Sequence, residues 1–214
     1  MFAAGVLALS AVAGARAGCP DIGFSYQVQL GTSVTNGVRA ADGACTEGDP
    51  TKGTCNSFVG RVLDKTYGYP DFKLGDGYMN VAELNAFLPS STTWTMMGYA
   101  GEQLVLNQAL LDANNGAPVI ALSHDQVVLV LPGRELHHSP TWNLCVPLSA
   151  GHVLGERSQN YTSDLLSTPW DTPHGVVIWE RTGPLAPQMH SLPAAEPTRP
   201  PSPSARRESA APAP

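Results

Sequence analysis

A thiol at the head of one apolar segment and an imidazole between two others are the residues of this chain best placed to do chemistry. The first segment reads Thr54-Cys55-Asn56-Ser57-Phe58-Val59-Gly60-Arg61-Val62-Leu63, and the second Pro118-Val119-Ile120-Ala121-Leu122-Ser123-His124-Asp125-Gln126-Val127-Val128-Leu129-Val130-Leu131. Nucleophilic catalysis by cysteine needs a thiolate and a base to take its proton, each fixed on a rigid element. In the first turn of a helix, Cys55 shares a face with Phe58, Val59 and Val62 and points inward. The free N–H groups and the positive dipole end at a helix start lower a thiol pKa and offer donors to a developing oxyanion. Taken alone, such a cysteine is as readily a buried structural thiol or half of a disulfide, and His124 alone is a hairpin-turn histidine. Their order and context single them out together.

The elements that must position them are read from apolar periodicity and turn chemistry. Residues 24–30 alternate loosely and predict an edge strand. Residues 31–53 predict a turn-rich stretch, broken at Asn36-Gly37, Asp42-Gly43 and Asp49-Pro50. A first helix is expected over 55–67, stopped by Gly68 and Pro70. A second follows Asn80, which stands three before Glu83 as in a capping box, and ends at Pro89. A third covers 102–113 and leaves through Asn114-Asn115-Gly116. Short strands are expected over 118–122, 126–131, 142–148 and 175–180. Helices first and antiparallel strands second predict an α+β fold, with N-terminal helices packed on a small antiparallel sheet.

Both ends read as dispensable to that core. Residues 1–17 predict a secretory signal: an apolar run, too short to span a bilayer, followed by Ala15-Arg16-Ala17 as a small-x-small cleavage site. Residues 18–183 form the expected single domain. Residues 184–214 mix proline with Ala, Ser and a few charges and predict a disordered tail. The formal net charge is −6, and removing Arg16 with the leader takes −6 to −7. With no Lys/Arg cluster in the core, nucleic acid is an unsuitable partner. Four cysteines are present: Cys19, Cys45, Cys55 and Cys145. Export favours oxidising them, and with Cys55 kept free, Cys19–Cys45 is the favoured bridge because both lie in the Gly-rich region before the first helix. His137, His138, His152 and His174 are expected to be solvated loop histidines, since neither HExxH nor paired-Cys metal spacing occurs.

The Cys55 and His124 elements resemble papain-like cysteine peptidases and amidases, in which a helix starts with the nucleophile and a downstream strand starts with the histidine base. The wording is similar to the bacterial cell-wall branch: NlpC/P60 and CHAP amidases and secreted peptidoglycan-amidase effectors. The resemblance covers roughly residues 50–150. It implies a papain-like or NlpC-like fold and a secreted or periplasmic enzyme that hydrolyses amide bonds in peptidoglycan stem peptides, with no cofactor. Cys55 would be the nucleophile, His124 the general base and acid, and Asn143, on the next expected strand, the group that orients the imidazole. Asp125 and His174 remain alternatives for that third role. The implied partners are a peptidoglycan or peptide substrate and an inhibitor or immunity protein, with a monomeric chain and no stable membrane insertion. A non-catalytic binding module on the same fold, or a general cysteine protease or acyl transferase, would carry the same residues.

Overall fold

A computed structural model describes residues 18–21, 26–46, 58–152 and 161–183. The expected signal segment, the expected tail and Cys55 itself lie outside the described residues. The described chain is α+β, built around one six-stranded antiparallel sheet. Its strands are β3 (Trp94–Tyr99), β4 (Val119–Leu122), β5 (Val127–Val130), β8 (Leu148–Gly151), β9 (Tyr161–Leu165) and β10 (Val177–Arg181), in the order β3-β10-β4-β5-β8-β9. Two small hairpins stand apart: β1 (Lys73–Leu74) with β2 (Gly77–Tyr78), and β6 (His137–Ser139) with β7 (Leu144–Val146).

The central strands read as unbroken apolar runs because both of their faces are covered. Along β4, Ile120 and Leu122 enter one core and Val119 and Ala121 the other; along β5, Val127 and Leu129 part from Val128 and Val130 in the same way. This is the period of two set by the pleat. Helices α1 (Val28–Thr46), α2 (Phe58–Val62) and α3 (Val81–Phe87) contribute to the first core, and α4 (Gln103–Asn114) to the second. Each fully buried Leu, Ile or Val side chain contributes about 1.5–3 kcal/mol of transfer free energy. Among the described residues no helix is long and apolar enough to cross a membrane.

Helix α1 corrects two expectations. Residues 28–30 are helical, so the expected edge strand over 24–30 does not form there, and the expected turn-rich stretch is helix as far as Thr46. Leu30, Val34, Val38 and Ala41 recur at helical spacing and are all buried. The glycines that suggest breaks serve a close contact instead: a Cβ on Gly37 would collide with the Thr66 side chain, so its absence lets α1 approach the segment after α2.

The first expected helix is seen from Phe58. Its α-helical part ends at Val62 and continues as one π-helical stretch, Leu63–Tyr67. Gly68 closes it in the left-handed region at φ 75, with its N–H on the Leu63 carbonyl. The capping box forms as read: the Glu83 N–H donates to Asn80 Oδ1 at 3.0 Å, and the Asn80 N–H to Glu83 Oε2 at 2.8 Å. Pro89 lies in a short 3₁₀ turn, Leu88–Ser90, directly after α3.

The favoured Cys19–Cys45 bridge is also corrected. Cys19 is bonded to Cys145, 126 residues away in sequence. Cys145 is presented by β7 beside the first turn of α4, where Gln103 brackets its backbone: Nε2 donates to the Cys145 carbonyl at 2.7 Å and Oε1 accepts from its N–H at 2.9 Å. Cys45 belongs to the C-terminal turn of α1, a different element, so nearness in sequence does not bring it to Cys19.

Candidate functional site

Of the three residues singled out from the sequence, Cys55 lies outside the described residues, and His124 and Asn143 are not brought together on one strand pair. His124 occupies the turn between β4 and β5, the arrangement Ser123-His124-Asp125-Gln126. Ser123 ties that turn: its N–H donates to the Gln126 carbonyl at 2.9 Å, and its hydroxyl accepts from the Gln126 N–H at 3.1 Å and from Trp170 Nε1 at 3.0 Å. With its backbone held there, the His124 side chain is 91% exposed, and Nδ1 stands 3.7 Å from Asp125 Oδ1. The strand opens on Val127, directly after the buried Gln126, and not on a histidine.

Asn143 is exposed and ends the four-residue loop between β6 and β7. The expected strand over 142–148 is cut at both ends: β7 begins at Leu144, because Asn143 adopts φ 53, and stops at Val146, while Leu148 opens β8 in the large sheet. The left-handed region suits asparagine and cannot continue a ladder. The expected strand order also fails: β5 is flanked by β4 and β8, whereas β7 pairs with β6 in a separate sheet. Asn143 lines a hollow of about 410 Å³ beside the Cys19–Cys145 bridge, with His138 and Gln103. Asn143→Gly should fold as well as wild type and keep whatever amide hydrolysis the wild type shows, while Asn143→Ala should cost about 1–2 kcal/mol of stability through left-handed strain. A 10–100-fold loss of turnover in the glycine variant, read beside its melting curve, would restore the orienting role.

A different imidazole faces the helix that follows Cys55. His152 directly follows β8, and its ring meets the Phe58 ring edge to face, with centroids 4.8 Å apart. Its side chain is 2% exposed, which corrects the expected solvated loop histidine. Nε2 lies 3.2 Å from Oδ1 of Asp42, a part-buried residue on α1. Gln126 Nε2 donates to the His152 carbonyl at 2.6 Å, so the buried amide just before β5 anchors the backbone just after β8. Close approach of these strands depends on Gly151, where a Cβ would stand 2.6 Å from Val128 Cγ1. Phe58 is three residues after Cys55.

Sequence reasoning passed over His152 and Asp42 for one shared cause. Asp42-Gly43 has the form of a turn and His152 follows a glycine near a polar stretch, so each is locally indistinguishable from a loop residue. The signal that points to Asp42 is the buried stripe through Val34, Val38 and Ala41, which makes residues 28–46 a helix. The remaining histidines behave as expected in part: His138 and His174 are exposed and His137 is half-buried. The chain matches no protein-family model, no curated protein and no solved structure.

Proposed function

We propose that the chain is a secreted or periplasmic cysteine hydrolase of papain-like type, with Cys55 as its nucleophile and amide bonds as its substrate. The observation that carries this reading is the seating of α2. The helix that Cys55 precedes buries Phe58, Val59 and Val62 against the core face of β5, and its first described residue packs on a histidine. An imidazole thus packs on the first described residue of α2, three positions after Cys55 in the sequence. The thiol gives its proton to an imidazole nitrogen, the sulfur attacks the amide carbonyl carbon, and the C–N bond breaks as the leaving amine takes that proton. Water then cleaves the thioester, releasing a carboxylic acid and restoring the thiol. The resemblance of the Cys55 and His124 elements to bacterial cell-wall amidases makes peptidoglycan stem peptides the proposed substrate.

Purified protein incubated with intact muropeptides should yield fragments that together have gained one water per bond broken, and mass spectrometry locates that bond. Folded protein that leaves both muropeptides and a mixed peptide panel intact would remove the hydrolase reading and favour a binding module.

A further inference from the structure

We propose that the hollow between α1 and the π-helical stretch Leu63–Tyr67 is a binding site for a carboxylate group, held by the Arg61 guanidinium with Lys65 and Thr66 beside it. The inference stands apart from the hydrolase reading and uses none of its groups.

The hollow has a volume of about 220 Å³ and is lined by Gly37, Ala40, Ala41, Arg61, Lys65 and Thr66. Its construction follows from the two elements that flank it. Helix α1 brings only small side chains to this place, which leaves space where larger residues would pack. Opposite, the chain passes from α to π winding after Val62. A π turn bonds residues five apart, so Thr66 comes round to the side of Arg61, with Lys65 next to it. Such stretches are rare and recur at functional sites.

Arg61 carries the argument. It is half-buried, and its buried Nε meets no hydrogen-bond partner among the described residues. No carboxylate among them is paired with its guanidinium. The guanidinium carbon stands 5.8 Å from the centroid of the Tyr78 ring, a contact that satisfies none of its N–H donors. A buried donor without an acceptor is costly, so one kept at the wall of a hollow points to an acceptor from outside the chain.

Charge selects the ligand. Lys65 Nζ is 3.0 Å from Asp64 Oδ2, so those two charges offset one another. The Tyr78 hydroxyl donates to the same carboxylate oxygen at 2.7 Å and holds the Asp64 carboxyl below its ordinary value, so Asp64 stays ionised near neutral pH. Arg61 is left as one uncompensated positive charge. A carboxylate matches it in charge, and its two oxygens match the planar fork of the guanidinium. A phosphate dianion would overcompensate that charge and meet Asp64 as a like charge.

The test follows the side-chain Nε–H resonance of Arg61 in a heteronuclear NMR spectrum of the full-length protein, assigned by its absence from Arg61→Gln. The probes are sodium acetate, a tripeptide with a free C-terminal carboxylate, and the same tripeptide amidated, all at an ionic strength held constant with chloride. Acetate and the free tripeptide should shift the resonance saturably with millimolar Kd, and the amide should not. Tighter binding of the tripeptide than of acetate identifies a peptide C-terminus as the ligand, and equal binding a free small acid; both support the site. Read on the Thr66 backbone amide, Arg61→Gln should weaken acetate binding about tenfold or more, and Arg61→Lys severalfold, because the charge stays and the fork is lost. Ala40 is exposed, so Ala40→Leu should fill the mouth and weaken binding about tenfold with an unchanged melting temperature. Should Arg61→Gln fail to fold, Ala40→Leu decides. An Arg61 resonance that does not respond to acetate, or responds equally to chloride, would overturn the inference. So would tighter binding of inorganic phosphate than of acetate, or folded Arg61 and Ala40 variants that bind acetate as wild type does.

Discussion

Cys55→Ser should reduce amide hydrolysis by on the order of 10⁴–10⁶-fold, the loss expected when the nucleophile of a covalent mechanism is removed. At about 1.4 kcal/mol per decade, that is roughly 5.5–8 kcal/mol of transition-state stabilisation. The size of the effect follows from the division of labour. Binding and oxyanion donors remain in the variant, but a hydroxyl with an alkoxide far above neutral pH replaces a sulfur that can be held as thiolate. Folding should be nearly untouched: α2 is seated by Phe58, Val59 and Val62, and serine matches cysteine closely in size. Turnover of muropeptides, read with a melting curve, checks both halves. A folded Cys55→Ser protein keeping a tenth or more of wild-type turnover would show that the chemistry lies elsewhere.

Cys145→Ser should lower the melting temperature by roughly 4–20 °C. The bridge it removes spans a sequence separation of 126 residues. Chain entropy for a loop of that length gives an upper figure of about 5 kcal/mol, and native bridges in exported domains commonly contribute about 2–5 kcal/mol. At about 2–4 °C per kcal/mol for a chain of this size, the shift follows. The structure gives the bridge a second task. Residues 18–21 also carry an isolated bridge from Asp21 to Glu135, and the Cys19–Cys145 bond joins them covalently to β7. Cys19→Ser should match Cys145→Ser, and wild type melted in reductant should match both. Agreement within about 2 °C between the variants and oxidised wild type would show that the bridge is dispensable.

What could be read without coordinates was the part of the fold whose cause is local. The capping box of Asn80 and Glu83 depends on residues three apart, and it formed as read. So did α4, shifted by one residue at each end from the expected 102–113, from apolar residues that include Leu106 and Leu110, and strands β4, β5 and β10 from compact apolar runs bounded by turn residues. These patterns carry their own partners within one turn or one pleat. Strands β3, β8 and β9 escaped notice because their burial is mixed or their residues small, so little alternation marks them.

Of the candidate site, the sequence by itself determined that Cys55 stands just ahead of an amphipathic helix and that short apolar strands follow. Only the tertiary structure decided which imidazole meets that helix. His152 and Asp42 are 110 residues apart in sequence and belong to a strand end and a helix that local rules read as loop and turn. The same holds for Cys19 and Cys145. Composition and spacing determine which groups a chain carries and which local elements they favour. Which of them touch depends on how buried faces pack over long sequence separations, as when Gly37 lets α1 settle against Thr66 and so sets the helix that presents Asp42.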